Sequence, residues 1–170
     1  MNPTMDDPEP WLRGPLPGVD PIVAAVLRSF QHAREDLERW TETLDDRQMW
    51  LSPHGLAPVG FQLRHIAGSV DRLTTYLRGE QLSEAQVLFL RYEMEPGATR
   101  EQLLADVGQA FARAEAILRT LDPATISELR YVGKKRLPVT IAGLVVHIAE
   151  HTQRHVGQAI VTAKLADGID

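Results

Sequence analysis

The 170-residue sequence contains no cysteine. Disulfides, thiolate metal sites and cysteine nucleophiles are thereby excluded, and any metal has to be held by histidine and carboxylate. Long apolar runs are missing too, and no stretch approaches the ~20 apolar residues of a bilayer-spanning helix. The N-terminal stretch, MNPTMDDPEPWLRGPLPG, is acidic and proline-rich, without the basic start and apolar segment of a secretory signal, so the expected location is cytoplasmic. A basic surplus is also absent: 18 Lys and Arg face 23 Asp and Glu, a net charge of -5. The one basic cluster, Lys134-Lys135-Arg136, is too short to track a phosphate backbone. Neither nucleic acid nor a membrane is an expected partner. There is no GxxxxGK[ST] loop or strand-linked GxGxxG, so no nucleotide cofactor is expected, and no Gly-x-Ser-x-Gly elbow supports a serine hydrolase.

What is present reads as an ordinary globular domain. Hydrophobic residues make up 44% and charged residues 24%, a length and balance that suit one domain with one continuous core. Asp20-Pro21 supplies an N-cap and a proline at the first helical position. The apolar residues Ile22, Val23, Val26, Leu27, Phe30, Ala33, Leu37, Trp40 and Leu44 then recur at three and four, predicting a helix to about residue 45. A second helix is predicted from Val59 to Leu77 and stopped by Gly79. Ser83 to Gln86 and Thr99 to Gln102 have capping-box spacing, opening a short helix to about Tyr92 and a longer one to about Thr120. Residues 125–138 read as an extended crossing or turn in which any strand is short. The last helix is predicted from Val139 or Thr140 to Lys164. Four long helices with little strand signal predict an all-α fold, a four-helix bundle with a short extra helix. The expected organisation is a flexible or loosely packed proline-rich leader at 1–19, the bundle at 20–165 and a tail at 166–170.

Half of the six histidines stand four apart in one helix, as His147, His151 and His155. Residues four apart differ by about 40° in direction and about 6 Å along the axis, so two neighbouring imidazoles can share one ion. The outer pair, about 12 Å apart, cannot, which leaves either His147 with His151 or His151 with His155. His65, beside Ile66 in the second helix, is the natural third ligand. Three neutral histidines with an open fourth position are a known form of catalytic zinc site. His32 and His54 read as surface residues. Gln62 and Asp71, three and six positions from His65, are candidates to orient an imidazole by hydrogen bond or are simple surface residues. Arg64 and Arg154 are candidates to hold an anionic substrate or are simple surface charges. Glu150 projects about 100° from His151 and reads as a solvated residue before a ligand or base.

The segment Val59-Gly60-Phe61-Gln62-Leu63-Arg64-His65-Ile66-Ala67-Gly68, together with Glu150-His151-Thr152-Gln153-Arg154-His155-Val156-Gly157-Gln158, resembles the DinB-like superfamily over about residues 20–165. The resemblance implies a four-helix bundle, often dimeric, with a divalent metal held by three histidines. Carried over residue by residue, it assigns the metal to His65, His151 and His155, because Gly157-Gln158 follow His155 as Gly-Gln follows the family's last histidine. His147 then lies one turn outside as a supporting or packing residue. Val156 stands where the family often has arginine. Relatives include thiol-dependent isomerases and S-transferases. The implied reading is a zinc- or nickel-dependent enzyme, S-transferase-like or hydrolase-like, acting on a small molecule or low-molecular-weight thiol, with no catalytic residue assigned. The alternative is a non-catalytic bundle that binds a metal or small ligand.

Overall fold

A computed structural model describes residues 8–169; residues 1–7 of the expected leader and Asp170 of the tail lie outside the described residues. Five α-helices and one hairpin follow in order: α1 (Pro21–Trp40), α2 (Val59–Leu77), α3 (Glu84–Tyr92), α4 (Arg100–Leu118), the strands β1 (Leu129–Val132) and β2 (Leu137–Thr140), and α5 (Ile141–Ala166). The helix starts follow from their caps. Asp20 accepts from the Ile22 amide ahead of Pro21, Ser83 and Thr99 form reciprocal capping boxes with Gln86 and Gln102, and Thr140 accepts from the Gly143 amide.

The four long helices close a ring in which α1 and α2 each pack against both α4 and α5. Inside it, Leu37, Leu63, Ile66, Leu103, Phe111, Leu118, Leu144 and Ile148 are fully buried, and Phe30 stacks on Phe111 with ring centroids 4.3 Å apart. This is the expected all-α four-helix bundle. The crossing segment folds as a two-stranded antiparallel hairpin pairing Leu129 with Thr140 and Val132 with Leu137, turned through Gly133–Arg136. Residues of the expected leader sit against α1: Arg13 makes a two-pronged pair with Glu35, at 2.6 and 2.8 Å, and Arg28 donates to the Gly14 carbonyl.

One boundary differs from the periodicity. The apolar pattern runs to about residue 45, yet α1 stops at Trp40. Arg100, at the start of α4, explains the stop: its guanidinium donates to the Thr41 and Glu38 carbonyls at 2.8 and 2.9 Å, and Thr41 Oγ1 bonds the Leu37 carbonyl. The free carbonyls of the last turn, with their partial negative charge, are thus met by a cation and a hydroxyl. Leu44 still enters the core from the following turn.

Candidate functional site

The α2–α5 contact sets the site. His65 lies on α2, and His151 and His155 lie on α5 on the face turned toward α2. Each of the three offers one ring nitrogen such that these atoms all lie within 4.8 Å of one another. Ring centroids are 4.3 Å apart for His65 and His155, 4.6 Å for His151 and His155, and 5.2 Å for His65 and His151. Zinc bonds of 2.0–2.1 Å in tetrahedral geometry would bring such nitrogens to about 3.4 Å, a contraction within reach of side-chain rotation. His147 is 5.2 Å from His151 ring to ring, but it is only half-buried and its Nδ1 bonds Glu150 at 2.7 Å.

Two of the rings are held by hydrogen bonds at Nδ1. Gln62 Oε1 accepts from His155 at 2.7 Å, and Glu93 Oε2 accepts from His65 at 2.7 Å. In each case the opposite nitrogen, Nε2, is left for another partner, the arrangement that orients histidines around metals. His151 differs: its Nδ1 is sealed from water and has no hydrogen-bond partner among the described residues. A buried imidazole nitrogen without a partner is costly, and a bound ligand would relieve it. Burial foremost, and then the neighbouring His65, push the pKa of His151 and of His155 down to about 4, so both rings are neutral near pH 7, as ligation requires. The ring of Phe61 covers one face of His65 at 5.4 Å between centroids.

The other sequence candidates are placed as follows. Gln62 does orient an imidazole, that of His155 across the helix interface. Asp71 does not; its carboxylate accepts from Gln86 at 2.6 Å, away from the histidines. Arg64 donates to the backbone carbonyls of Tyr92 and Glu95 and lies 4.7 Å over the Trp50 ring, so it is committed to holding the end of α3 on α2. Arg154 pairs with Glu150 at 2.7 Å on the surface. The hydrogen bond from His147, with Arg154 beside it, holds the Glu150 carboxyl below its ordinary range as a solvated anion. His32 pairs with Asp36, and His54 is an exposed turn residue with φ of 52°.

Glu93 is the residue that sequence reasoning missed. It follows α3 with no spacing relation to any histidine, yet it is only 2% exposed and bonds both His65 and Arg72. The two glycines of the α2 segment make room for such neighbours. A Cβ on Gly60 would stand 2.7 Å from the Trp50 indole, and one on Gly68 would stand 2.6 Å from Glu93 Oε1 and 2.7 Å from Arg72 Nη1.

A family model for the DinB superfamily matches residues 7–159. The chain belongs to the DinB superfamily. Among solved structures, this DinB-superfamily chain is similar to YfiT from Bacillus subtilis, described as a probable metal-dependent hydrolase with an unusual four-helix bundle topology. The TM-score is 0.65 at 16% identity, over 89% of this chain and 91% of that one. That likeness carries the shared bundle fold. No curated protein matches the DinB-superfamily chain in sequence. No helix among the described residues is long and apolar enough to cross a membrane.

Proposed function

We propose that the protein is a divalent-metal-dependent enzyme whose ion, zinc or nickel, is held by His65, His151 and His155. The observation that carries this reading is the convergence of three imidazole nitrogens from two helices within 4.8 Å, with no fourth histidine or carboxylate in the group among the described residues. Such a set leaves a coordination position for a small-molecule substrate, as catalytic zinc sites do and closed structural sites do not. When bound, the ion supplies a Lewis acid that polarises a carbonyl or acidifies a water or thiol. The chain's own residues orient the ligands, Gln62 through His155 and Glu93 through His65, while burial keeps His151 and His155 neutral.

Hydrolysis is put first because YfiT, which shares the fold, is described as a probable metal-dependent hydrolase. Thiol S-transfer, implied by the superfamily resemblance, is the competing reaction, and a non-catalytic binding bundle is the competing class. Metal analysis of the purified protein and of His65→Ala, His151→Ala and His155→Ala is the first test. The expected result is one ion per chain in the parent and its loss in each variant; unchanged content in all three would sink the reading. Turnover of an ester and amide panel by the metal-loaded protein, against low-molecular-weight thiols with an electrophile, separates the reactions. Tight metal binding with no turnover in either assay would select the binding bundle. The proposal includes a homodimer, which light scattering after size exclusion tests directly.

A further inference from the structure

We propose that Arg72 and Glu93 form a directional hydrogen-bond relay that fixes the tautomer of His65, making both of them positioning residues for the three-histidine site. This rests on the metal-centre reading for its purpose, although the relay itself is a property of the protein alone. Glu93 spends one carboxylate oxygen on each neighbour: Oε1 accepts from Arg72 Nη1 at 2.7 Å, and Oε2 faces His65 Nδ1 at 2.7 Å. Arg72 and Glu93 are 8% and 2% exposed, so water is a poor substitute for either bond. They are seated against the bare backbone of Gly68, where a Cβ would collide with both.

The direction follows from donor and acceptor inventories. A guanidinium can only donate, so the Glu93 oxygen beside it must accept. An ionised carboxylate can only accept, so the second oxygen requires a proton on His65 Nδ1. The proton on Nδ1 leaves a lone pair on Nε2, the nitrogen available to ligate alongside His151 and His155.

Glu93→Gln, a change that nearly preserves shape, reverses this logic. Arg72 still demands an acceptor and takes the amide oxygen. The amide NH2 then faces His65 Nδ1, which must accept, and the ring proton moves to Nε2. Removing the demand as well, in Arg72→Met with Glu93→Gln, leaves the amide free to present either its oxygen or its NH2 to His65, so the Nε2–H tautomer is no longer imposed. A residue that merely packs α3 against α2 would not produce this inversion or its release.

The test reads imidazole nitrogen chemical shifts of chelator-treated protein at pH 8, with zinc affinity measured by chelator competition and melting followed in the metal-free state. The expected result is an Nδ1–H tautomer of His65 in the parent and an Nε2–H tautomer in Glu93→Gln. The double variant should lose that exclusive preference and show both tautomers. Zinc affinity should fall about 10–100-fold in the single variant, the usual range for loss of an orienting partner, and recover in part in the double variant. An Nε2–H signal in the unmutated protein overturns the relay without recourse to any variant, and so does a tautomer unchanged by Glu93→Gln. The tautomer inversion in a protein that binds no zinc supports the relay and refutes the metal-centre reading. Zinc binding with an unresponsive tautomer does the reverse.

Discussion

A methyl group on Gly68 would reach within 2.8 Å of Glu93, Arg72 and Phe89 at once. The atoms it meets are the far ends of side chains, which move more readily than backbone, so the strain falls on the position of the ion pair more than on the fold. Gly68→Ala is therefore expected to destabilise the metal-free protein by only about 1–3 kcal/mol, as overpacking does, while still weakening zinc binding. Equilibrium denaturation and chelator competition on the same sample check the two halves of that statement. The low pKa of His151 and His155 has a consequence of its own. Their folded values of about 4 lie below the ordinary 6.5, so between those values the unfolded chain binds protons that the folded chain refuses. Stability of the metal-free protein should then fall as the pH drops from about 6.5 to about 4 and level off below that window as far as these groups are concerned. Denaturation of chelator-treated protein across the window measures it, and His151→Ala should show a shallower fall.

At the scale of elements, the helix starts were legible and one helix end was not. Asp20, Ser83, Thr99 and Thr140 cap through bonds to residues two or three positions away, and such short-range chemistry is written in adjacent letters. The end of α1 depends on Arg100, 59 residues beyond the carbonyl at Thr41 that it meets. Arg100→Ala should leave the α1 carbonyls without that partner and cost about 2 kcal/mol, the scale of a hydrogen bond from a charged donor. Chemical denaturation would measure this loss, and hydrogen exchange should place it in the last turn of α1. The case of α3 is similar. Its capping box was visible in Ser83 and Gln86, but none of its own residues is buried, and it is tied to α2 through Glu93 after its end, Arg64 from α2 and Gln86.

For the molecule as a whole, binding and folding are linked if the three histidines hold an ion. A ligand that binds only the folded state at 100 times its Kd adds about 2.7 kcal/mol of stability, and zinc should raise the melting temperature of the parent accordingly. His65→Ala should abolish that rise, and should also cost the metal-free protein about 1–3 kcal/mol because the buried Glu93 loses a partner. Phe111→Ala should instead keep the rise while removing about 3–5 kcal/mol from the folded state by opening a cavity beside Phe30.

The sequence by itself determined the all-α class, the bundle of four long helices and the spacing of His151 and His155, because apolar periodicity, caps and the four-residue helical repeat are local properties of the chain. Tertiary structure alone decided which nitrogen of His65 and of His155 is engaged and by what. Gln62 serves His155 across 93 positions of sequence, and Glu93 serves His65 across 28. Hydrogen bonds of that kind are made by the packing of one helix on another, and their partners carry no common period in the chain.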